Sequence, residues 1–289
     1  MENNIRPQGF SILPLVVKNL LILNCIFFIA TIAAEKVLHI DLVQYLGLHY
    51  IGASDFRPYQ FVTYMFMHGS FSHLFFNMFA LWMFGNTIEN AWGSKRFLIF
   101  YFVCGIGAGL VQELVQYIQF VTTLQEYTNV RISAYQTIPM SQYLNMMTTV
   151  GASGAVYGIL LAFGMTWPNS RIYIYFAIPI KAKWFVIIYG VIELLSGLSN
   201  SDNVAHFAHL GGMLFGLALI LYWRRVDGGG NFRIRRNKNF RRPKTDEEYN
   251  MEQADNQRKT DAILDKISKY GYDSLTKEEK EFLFKQSKK

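Results

Sequence analysis

The residues in this sequence that are best suited to chemistry are a serine and a histidine, both in apolar stretches. Ser153 stands between Gly151 and Gly154 in a stretch from about 147 to 167, and His209 opens the run HLGG in a later stretch. An imidazole that removes the proton of a serine hydroxyl turns that hydroxyl into a nucleophile for acyl transfer. Each residue alone is more typical of helix packing or, for histidine, of a proton path. Together they make catalysis as reasonable as a structural role.

His73 and Asn77 are candidates for stabilising the negative charge that acyl transfer creates. Their spacing places them on one face of a helix. With the backbone N–H of Ser153 they would form an oxyanion hole, in which losing one donor costs about 2.7–4 kcal/mol. The alternative is a polar clamp between helices, worth about 1–2 kcal/mol in model peptides. His68, close to the loop, is assigned a structural role.

The composition is that of a membrane-embedded body followed by a polar tail. Hydrophobic residues make up 51% of the chain and charged residues 17%, against about 25% charged in soluble domains. Most of the charge lies beyond residue 223, and the net charge of +7 is attributed first to membrane topology. Cys25 and Cys104 both lie in apolar runs, so each is expected to be a buried thiol outside any disulfide framework.

Six apolar runs predict an all-α polytopic membrane protein, a six-helix bundle with a small cytoplasmic helical tail. The runs cover about 15–34, 61–88, 97–118, 147–167, 184–199 and 204–223. The first is longer than a signal-peptide core and is interpreted as a retained helix. The fifth gives the weakest signal, because Pro179, Lys181 and Lys183 interrupt the apolar sequence before it.

The positions of lysine and arginine orient the bundle. Basic residues follow the second, fourth and sixth runs, whereas the opposite loops carry few beyond Arg57 and Arg131. Both termini are therefore expected in the cytoplasm, and the protein is expected to be a multi-pass protein of the plasma or inner cell membrane. Ser153 and His209 then lie about six and five residues inside their spans, at a shared depth of roughly 7–10 Å.

Small residues predict that these two spans touch each other. G-x-x-x-G patterns occur at 154–158 and at 212–216, and this pattern lets membrane helices approach closely. His209 lies on the same helical face as Gly212 and Gly216. If the glycine faces oppose each other, Ser153 and His209 come within hydrogen-bonding reach.

Taken together, these elements resemble the rhomboid family of intramembrane serine proteases. The resemblance covers about residues 40–223, with His-x(4)-His-x(3)-Asn at 68–77, Gly-x-Ser-Gly at 151–154 and Ala-His-x-x-Gly at 208–212, followed by Gly216. It implies a six-helix core and a serine endopeptidase, without cofactor or metal, that cleaves membrane-protein substrates within or near their transmembrane segments. Ser153 would be the nucleophile, His209 the base, and His73, Asn77 and the Ser153 N–H the oxyanion hole.

Four further features bear on this resemblance and on the mechanism it implies. Tyr157 matches an aromatic residue that packs on the catalytic histidine in the family, and it fits an ordinary core position equally well. Tyr59-Gln60 stands where many members have Trp-Arg. Glu193 is open between a third catalytic partner and a residue lining a wet cavity, and the cavity is the favoured interpretation. Glu89 matches a structural polar patch at the cytoplasmic end of the second run.

The chain divides into four predicted parts. These are a cytoplasmic segment (1–14), the membrane domain (15–225), a basic juxtamembrane linker (226–244) and a small cytoplasmic helical hairpin (245–289). The basic linker is expected to meet anionic lipid head groups, and no nucleic-acid partner is expected. Capping boxes start at Thr245 and Thr276, with Gly271 between the two helices. The apolar contact of the hairpin is expected between Ile263, Leu264 and Ile267 on one helix and Phe282 and Leu283 on the other.

Two other classes of protein share part of this pattern. A catalytically silent rhomboid-like protein would bind transmembrane helices as a chaperone or adaptor, but such relatives generally lack the serine or the histidine. A small transporter could use His73, His209 and Glu193 as a relay, and it would not need the Gly-x-Ser-Gly motif. Labelling of Ser153 by a fluorophosphonate separates a hydrolase from both.

Overall fold

The structure, a computed structural model, describes residues 11–133, 135–174, 178–199, 205–226 and 246–286. The chain forms two compact units, Met1–Arg235 and Arg236–Lys289. The first unit is mostly helical and contains every residue that the sequence associates with chemistry.

Four helical stretches within the described ranges are long and apolar enough to cross a membrane. They are Leu15–Leu38, Ser94–Leu124, Ala182–Ser199 and His206–Val226. Of the two other predicted spans, one is the shorter apolar helix Ser153–Thr166, with 14 residues, and the other is a helical run from Phe71 to Trp92 in which a π-helical turn joins two α-helices. Neither of them meets the criteria of length and apolar composition together. The chain is therefore an integral membrane protein with four candidate spans, and helix length does not establish the predicted six.

The α-helices of the first unit are α1 (Leu15–Ala33), α2 (Leu42–Leu46), α3 (Gln60–Thr63), α4 (Phe71–Ala80), α5 (Asn86–Trp92), α6 (Ser94–Gln119), α7 (Met140–Met146), α8 (Ser153–Thr166), α9 (Ala182–Ser199) and α10 (His206–Val226). Turns of π-helix at Ala34–Leu38, Leu81–Gly85 and Phe120–Leu124 extend α1, α4 and α6, and a 3-10 turn at Tyr64–Phe66 follows α3.

Among the described residues, three short antiparallel sheets make the fold mostly rather than entirely helical. They pair β1 (Leu48–His49) with β4 (Thr148–Thr149), β2 (Asn129–Arg131) with β3 (Thr137–Pro139), and β5 (Arg171–Ile174) with β6 (Ile178–Lys181). Each joins segments that lie outside the helices, where backbone N–H and C=O groups still need partners. In the first sheet, Leu48 faces Thr149 and His49 faces Thr148.

The second predicted span starts later than expected. The sequence predicts a helix from residue 61, whereas α4 begins at Phe71. Ser70 has an extended backbone, and its hydroxyl accepts the N–H of His73 at 3.1 Å, which caps the helix. His73 consequently lies in the first turn of α4, with Asn77 one turn further along.

The predicted position of the serine within its helix is also wrong, because α8 begins at Ser153 itself. The residues before it are held in β4 and in a turn where Gly151 has a φ of 126°, so the helix cannot extend further towards residue 147. α10 begins at His206 and places His209 in its first turn. Both residues lie at helix N-termini rather than several residues inside longer spans.

Helices α8 and α10 touch through their glycines. A Cβ atom on Gly212 would lie 1.9 Å from the carbonyl oxygen of Gly154, a distance that no side chain tolerates. A Cβ atom on Gly158 would lie 2.4 Å from Sγ of Cys104, on α6, and 3.1 Å from the carbonyl oxygen of Gly212. The two G-x-x-x-G faces therefore oppose each other, and α6 packs against both helices.

Helix α1 is anchored by a carboxylate from α5. Glu89 accepts the N–H groups of Val16 and Val17 at 2.9 and 2.8 Å and the hydroxyl of Ser94 at 2.6 Å. The first N–H groups of a helix have no intrahelical acceptor, so this contact stabilises the start of α1. Glu89 therefore has a structural role, as the sequence predicts.

The prediction of buried thiols holds for Cys104 and is wrong for Cys25, which is exposed. Cys25 lies on α1 near Ile22, Ile26 and Ile29, whose side chains are at least half exposed. An exposed apolar face on a candidate span is suited to lipid contact, and hydropathy alone does not distinguish it from a buried one.

The described part of the second unit contains two α-helices, α11 (Asp246–Tyr270) and α12 (Lys277–Gln286), with a 3-10 turn at Tyr272–Ser274 between them. Gly271 ends α11 with a φ of 79°, a conformation that favours glycine. At the start of α12, the Thr276 N–H donates to Glu279 at 2.7 Å and the Glu279 N–H donates to the Thr276 hydroxyl at 3.3 Å, which is the predicted capping box. Lys266 on α11 lies 2.9 Å from the same glutamate.

Two residues of the predicted apolar contact in this unit differ in exposure. Ile263 is buried, whereas Leu264 is 51% exposed. Thr245 and nearly all of the basic linker predicted at 226–244 lie outside the described residues.

Candidate active site

The centre of the site is a direct contact between Ser153 and His209. The serine Oγ lies 2.8 Å from Nε2 of the histidine, within ordinary hydrogen-bond distance. Ser153 is the first residue of α8 and His209 lies in the first turn of α10, so the opposed glycine faces bring the two side chains together. The histidine is buried, at 8% exposure, and the serine is partly buried.

The backbone at Ser153 offers an N–H group with no acceptor inside its helix. The first bond of α8 runs from the Val156 N–H to the Ala152 carbonyl at 3.0 Å, so the Ser153 N–H precedes the helical series. The N-terminus of a helix carries partial positive charge, which favours an anion. An oxygen that becomes negative near Ser153 would meet both the free N–H and this field.

His73 lies directly beside the turn that carries the serine. A Cβ atom on Gly151 would lie 2.8 Å from both Cε1 and Nε2 of His73 and 3.6 Å from the Ser153 hydroxyl oxygen. Gly151 also has its φ in the left-handed region, so its identity is required by conformation and by space. The His73 imidazole therefore borders the position where a reacting carbonyl would approach Ser153.

Asn77 is buried one turn below His73 and bonds its own helix. Its amide Nδ2 donates to the His73 carbonyl at 2.8 Å. His68 packs against His73, with 5.0 Å between ring centroids, and it is 2% exposed. In the described part of the chain neither ring nitrogen of His68 has a hydrogen-bond partner.

Glu193, on α9, reaches the far side of the histidine. Its Oε2 lies 2.8 Å from Nδ1 of His209 and 2.6 Å from Nδ1 of His206. The hydroxyl of Tyr157 donates to the other oxygen, Oε1. A residue that sequence reasoning placed first in a wet cavity is thus bonded to the imidazole that contacts Ser153.

Tyr157 stacks on the face of the same imidazole. Its ring centroid lies 4.4 Å from that of His209 and the two planes differ by 5°. Of the two interpretations open from the sequence, this geometry matches contact with the histidine. The stacked ring fixes the plane of the imidazole, while its hydroxyl holds Glu193.

Two residues outside the motifs, Tyr64 and Gln60, support the serine turn and the segment before α4. The Gly151 N–H donates to the Tyr64 carbonyl at 2.9 Å, and the Tyr64 hydroxyl donates to the Gly105 carbonyl on α6 at 2.6 Å. Gln60 is fully buried, and its oxygen accepts the N–H groups of His49 and Arg57. The position where an arginine is frequent in the family therefore organises the loop before α4.

Glu193, His206 and His209 each offer one ligand atom, and these atoms lie within 4.8 Å of one another, so they are the described residues best placed to hold a metal ion. Hydrogen bonds already join the three side chains through one carboxylate oxygen. Those bonds satisfy the carboxylate without a cation. This group is consequently treated as part of the serine–histidine site.

Sequence reasoning found the residues at the centre and missed part of their surroundings. Ser153, His209, His73 and Tyr157 lie together, and Gly151, Gly154, Gly212 and Gly216 occupy positions where helices or side chains approach closely. The sequence favours a cavity-lining role for Glu193 over a bond to His209, and it does not single out His206. Its spacing from His209, less than one helical turn, was the available signal.

Comparison with known proteins agrees with this arrangement. The rhomboid domain profile matches residues 55–226, more than half of the chain. Residues 244–289 match a family of unknown function, DUF6576. The fold and site are those of an integral membrane protein with a polar centre between its helices. The chain belongs to the rhomboid family.

The chain is similar to rhomboid proteins from several compartments. It is 28% identical to Rhomboid-like protease 3 of Toxoplasma gondii over 181 residues, covering 62% of this chain and 57% of the relative. It is 29% identical to the chloroplastic Rhomboid-like protein 11 of Arabidopsis thaliana over 175 residues, covering 56% and 51%. It is 29% identical to the mitochondrial Presenilin-associated rhomboid-like protein of Homo sapiens over 163 residues, covering 54% and 36%. The chain thus spans about half the length of these relatives or less.

Proposed function

We propose that this rhomboid protein is an intramembrane serine endopeptidase that cleaves membrane-protein substrates within or near their transmembrane segments. The observation that carries the proposal is the 2.8 Å contact between the Ser153 hydroxyl and Nε2 of a buried histidine. That pairing is the arrangement of a serine nucleophile and its general base. A helix-binding adaptor or a transporter has no need of it.

The proposed reaction is acyl transfer through Ser153. Nε2 of His209 takes the hydroxyl proton as Oγ attacks the scissile carbonyl, and the resulting imidazolium donates that proton to the departing amine. A water molecule, deprotonated by the same nitrogen, then attacks the acyl-enzyme, and the imidazolium returns the proton to Oγ as the ester bond breaks. Each proton transfer passes through Nε2, the atom that contacts the Ser153 hydroxyl.

The proposed oxyanion hole consists of the Ser153 N–H, His73 and Asn77. The N–H is supported by its place at the start of α8, and His73 by its contact with Gly151. Asn77 donates to a backbone carbonyl in the resting site, so its participation requires the amide to turn towards the substrate. Preorganised donors of this kind each contribute about 2.7–4 kcal/mol to the transition state.

The proposed topology keeps six membrane passes. In addition to the four candidate spans, α8 and the segments from α4 to α5 would each cross the membrane, next to the longer helices. Lys95, Arg96, Arg224 and Arg225 then face the cytoplasm together with both termini. The proposed location is the plasma or inner cell membrane, although two of the relatives compared above are organellar by name.

The part after the membrane domain is proposed to act at the cytoplasmic membrane surface. The basic segment at 226–244 would meet anionic lipid head groups, at about 1 kcal/mol for each basic residue near the surface. The hairpin at 245–289 would lie in the cytoplasm. Transmembrane protein substrates are the proposed partners of the membrane domain, and no nucleic-acid partner is proposed.

The test uses purified protein in detergent, a fluorophosphonate probe and a single-span substrate. We expect the wild type to label at Ser153 and to cleave the substrate, and Ser153→Ala to lose both activities. Ser72→Ala is the matched control, because Ser72 also lies in the first turn of a helix but is exposed, and its hydroxyl lies 3.1 Å from the hydroxyl of Ser70. Unchanged cleavage in Ser153→Ala would overturn the proposal, and absence of labelling and cleavage in the wild type would favour the adaptor.

A further inference from the structure

Rhomboid-type chemistry as proposed above needs a serine and a histidine, yet this structure places a carboxylate on the histidine as well. Oε2 of Glu193 lies 2.8 Å from Nδ1 of His209, and Nε2 of the same ring lies 2.8 Å from the Ser153 hydroxyl. The three side chains come from α8, α9 and α10. They form a continuous chain from carboxylate to imidazole to hydroxyl.

We infer that Glu193 is a positioning residue for His209, and that this protein works with a serine–histidine–glutamate triad rather than a dyad. The inference rests on the proposed function and deepens it. Glu193 touches no substrate in this arrangement, and its effect reaches Ser153 through the imidazole.

The first effect of Glu193 is on the tautomer of His209. A neutral imidazole carries one proton, on either nitrogen, and the hydrogen bond made by one nitrogen decides the state of the other. A carboxylate can only accept, so Nδ1 must carry the proton when it bonds Glu193. Nε2 is then left with the lone pair that accepts the Ser153 proton, which is the tautomer that a general base requires.

The second effect is on the charge that develops during the reaction. When His209 takes the serine proton it becomes an imidazolium in a buried site, where an unpaired charge is costly. Glu193 is only 6% exposed, so its charge is weakly screened at this position. A carboxylate at hydrogen-bond distance from Nδ1 stabilises the imidazolium in the transition state more than the neutral ring of the ground state.

Glu193 is itself held by two further donors. The Tyr157 hydroxyl bonds Oε1, and Nδ1 of His206 lies 2.6 Å from Oε2. The same Tyr157 ring stacks on His209 at 4.4 Å. The carboxylate therefore has fixed partners on both oxygens, and it keeps its position while the proton moves between Ser153 and His209.

Glu113 provides the comparison that separates this role from burial alone. It is also a 6% exposed glutamate on an apolar helix, α6, but it accepts the N–H of Ile51 at 2.7 Å and so holds the segment that follows β1. A buried carboxylate that stabilises a loop and one that bonds the general base respond differently to the same change. Glu113→Gln is therefore the matched control for Glu193→Gln.

The kinetic test compares the full-length variants Glu193→Gln, Glu193→Asp and Glu113→Gln on the single-span substrate. An amide at position 193 can present its NH₂ group to Nδ1 and favour the wrong tautomer, a change that lowers kcat about 10⁴-fold in a serine protease triad. We expect Glu193→Gln to lower kcat by about 10²- to 10⁴-fold with KM within about threefold of wild type. Glu193→Asp should recover at least about tenfold of that loss, and Glu113→Gln should stay within about threefold of wild type.

A spectroscopic measurement tests the same inference on the wild-type protein and needs a variant only to assign one signal. The ¹⁵N shifts of histidine-labelled wild-type protein distinguish an imidazole protonated on Nδ1 from one protonated on Nε2, and the signal of His209 is identified by its loss in His209→Asn. We expect the Nδ1–H form in the wild type. Observation of the Nε2–H form would overturn the inference.

The outcomes also separate this inference from the proposed function. If Ser153→Ala abolishes cleavage and Glu193→Gln keeps kcat within threefold of wild type, the protein is a serine protease that works with a dyad and the triad is wrong. A raised KM with unchanged kcat in Glu193→Gln would equally refute a positioning role. If Ser153→Ala cleaves normally, the proposed function itself fails, whatever Glu193 does.

Discussion

Replacement of Gly212 by alanine should disable the site from a distance. The added Cβ atom would lie 1.9 Å from the Gly154 carbonyl oxygen, whereas a carbon and a carbonyl oxygen normally approach to about 3.3 Å. The obstacle is backbone, so no rotamer change relieves it, and α8 and α10 must separate by about 1.4 Å at this point.

The separation should reach the reacting atoms, because Ser153 adjoins Gly154 and His209 lies less than one turn from Gly212. The present 2.8 Å between Oγ and Nε2 would increase to about 4 Å, beyond hydrogen-bond distance. A misplacement of about 1 Å can lower an enzymatic rate by about 10²-fold. We therefore expect cleavage to fall at least about 10²-fold in Gly212→Ala, with a lower midpoint of thermal unfolding because of overpacking, which typically costs about 1–3 kcal/mol.

Two other glycines provide graded controls in the same cleavage and thermal-unfolding assays. A Cβ atom on Gly216 would meet side-chain atoms at 3.0 Å (Phe100) and 3.1 Å (Cys104), and its nearest backbone neighbour, Gly158 Cα, at an ordinary 3.5 Å, so Gly216→Ala should have a smaller effect. A Cβ atom on Gly190 would meet Met213 at 3.5 Å, an ordinary contact, so Gly190→Ala should remain active. The reasoning is refuted if Gly212→Ala cleaves within threefold of wild type, or if all three variants lose activity equally.

Three further predictions concern the oxyanion donors and the C-terminal unit. Asn77→Ala should lower kcat by about 10- to 10³-fold with little change in KM, because the amide would act only once charge has developed; a lower unfolding temperature with unchanged kcat would instead make Asn77 structural. Deleting residues 246–289 should preserve cleavage in detergent, and loss of activity in a correctly inserted deletion variant would place the tail in the active fold. The Thr276 N–H, followed by Lys266, holds the pKa of Glu279 below its usual value, so its support for α12 is present above the ordinary carboxyl pKa and lost as pH falls through the lowered one. Amide hydrogen exchange of α12, corrected for intrinsic rates, should therefore show less protection at pH 3 than at pH 7, and Glu279→Gln should remove that difference.

Local patterns in the sequence were sufficient to locate the centre of the site. Glycines lie close in sequence to both the serine and the histidine, and a residue without a side chain allows the backbone of another helix to approach. The G-x-x-x-G faces at 154–158 and 212–216 meet as this reasoning requires. The capping box at Thr276 and the stop at Gly271 were likewise readable, because capping depends on residues within one helical turn.

Tertiary structure decided where the helices begin and which side chains meet across them. The sequence predicted helices that begin at residues 61 and 147. Hydropathy does not reveal the helix cap at Ser70 or the pairing of β1 with β4. That pairing is supported by contacts such as His49 with the Asn145 carbonyl, 96 residues apart in sequence. The bond between Glu193 and His209 has the same character, because it depends on the rotation of α9 about its own axis. The sequence by itself therefore determined the family, the membrane setting and the serine–histidine pair, whereas packing among the helices alone brought the carboxylate to the imidazole.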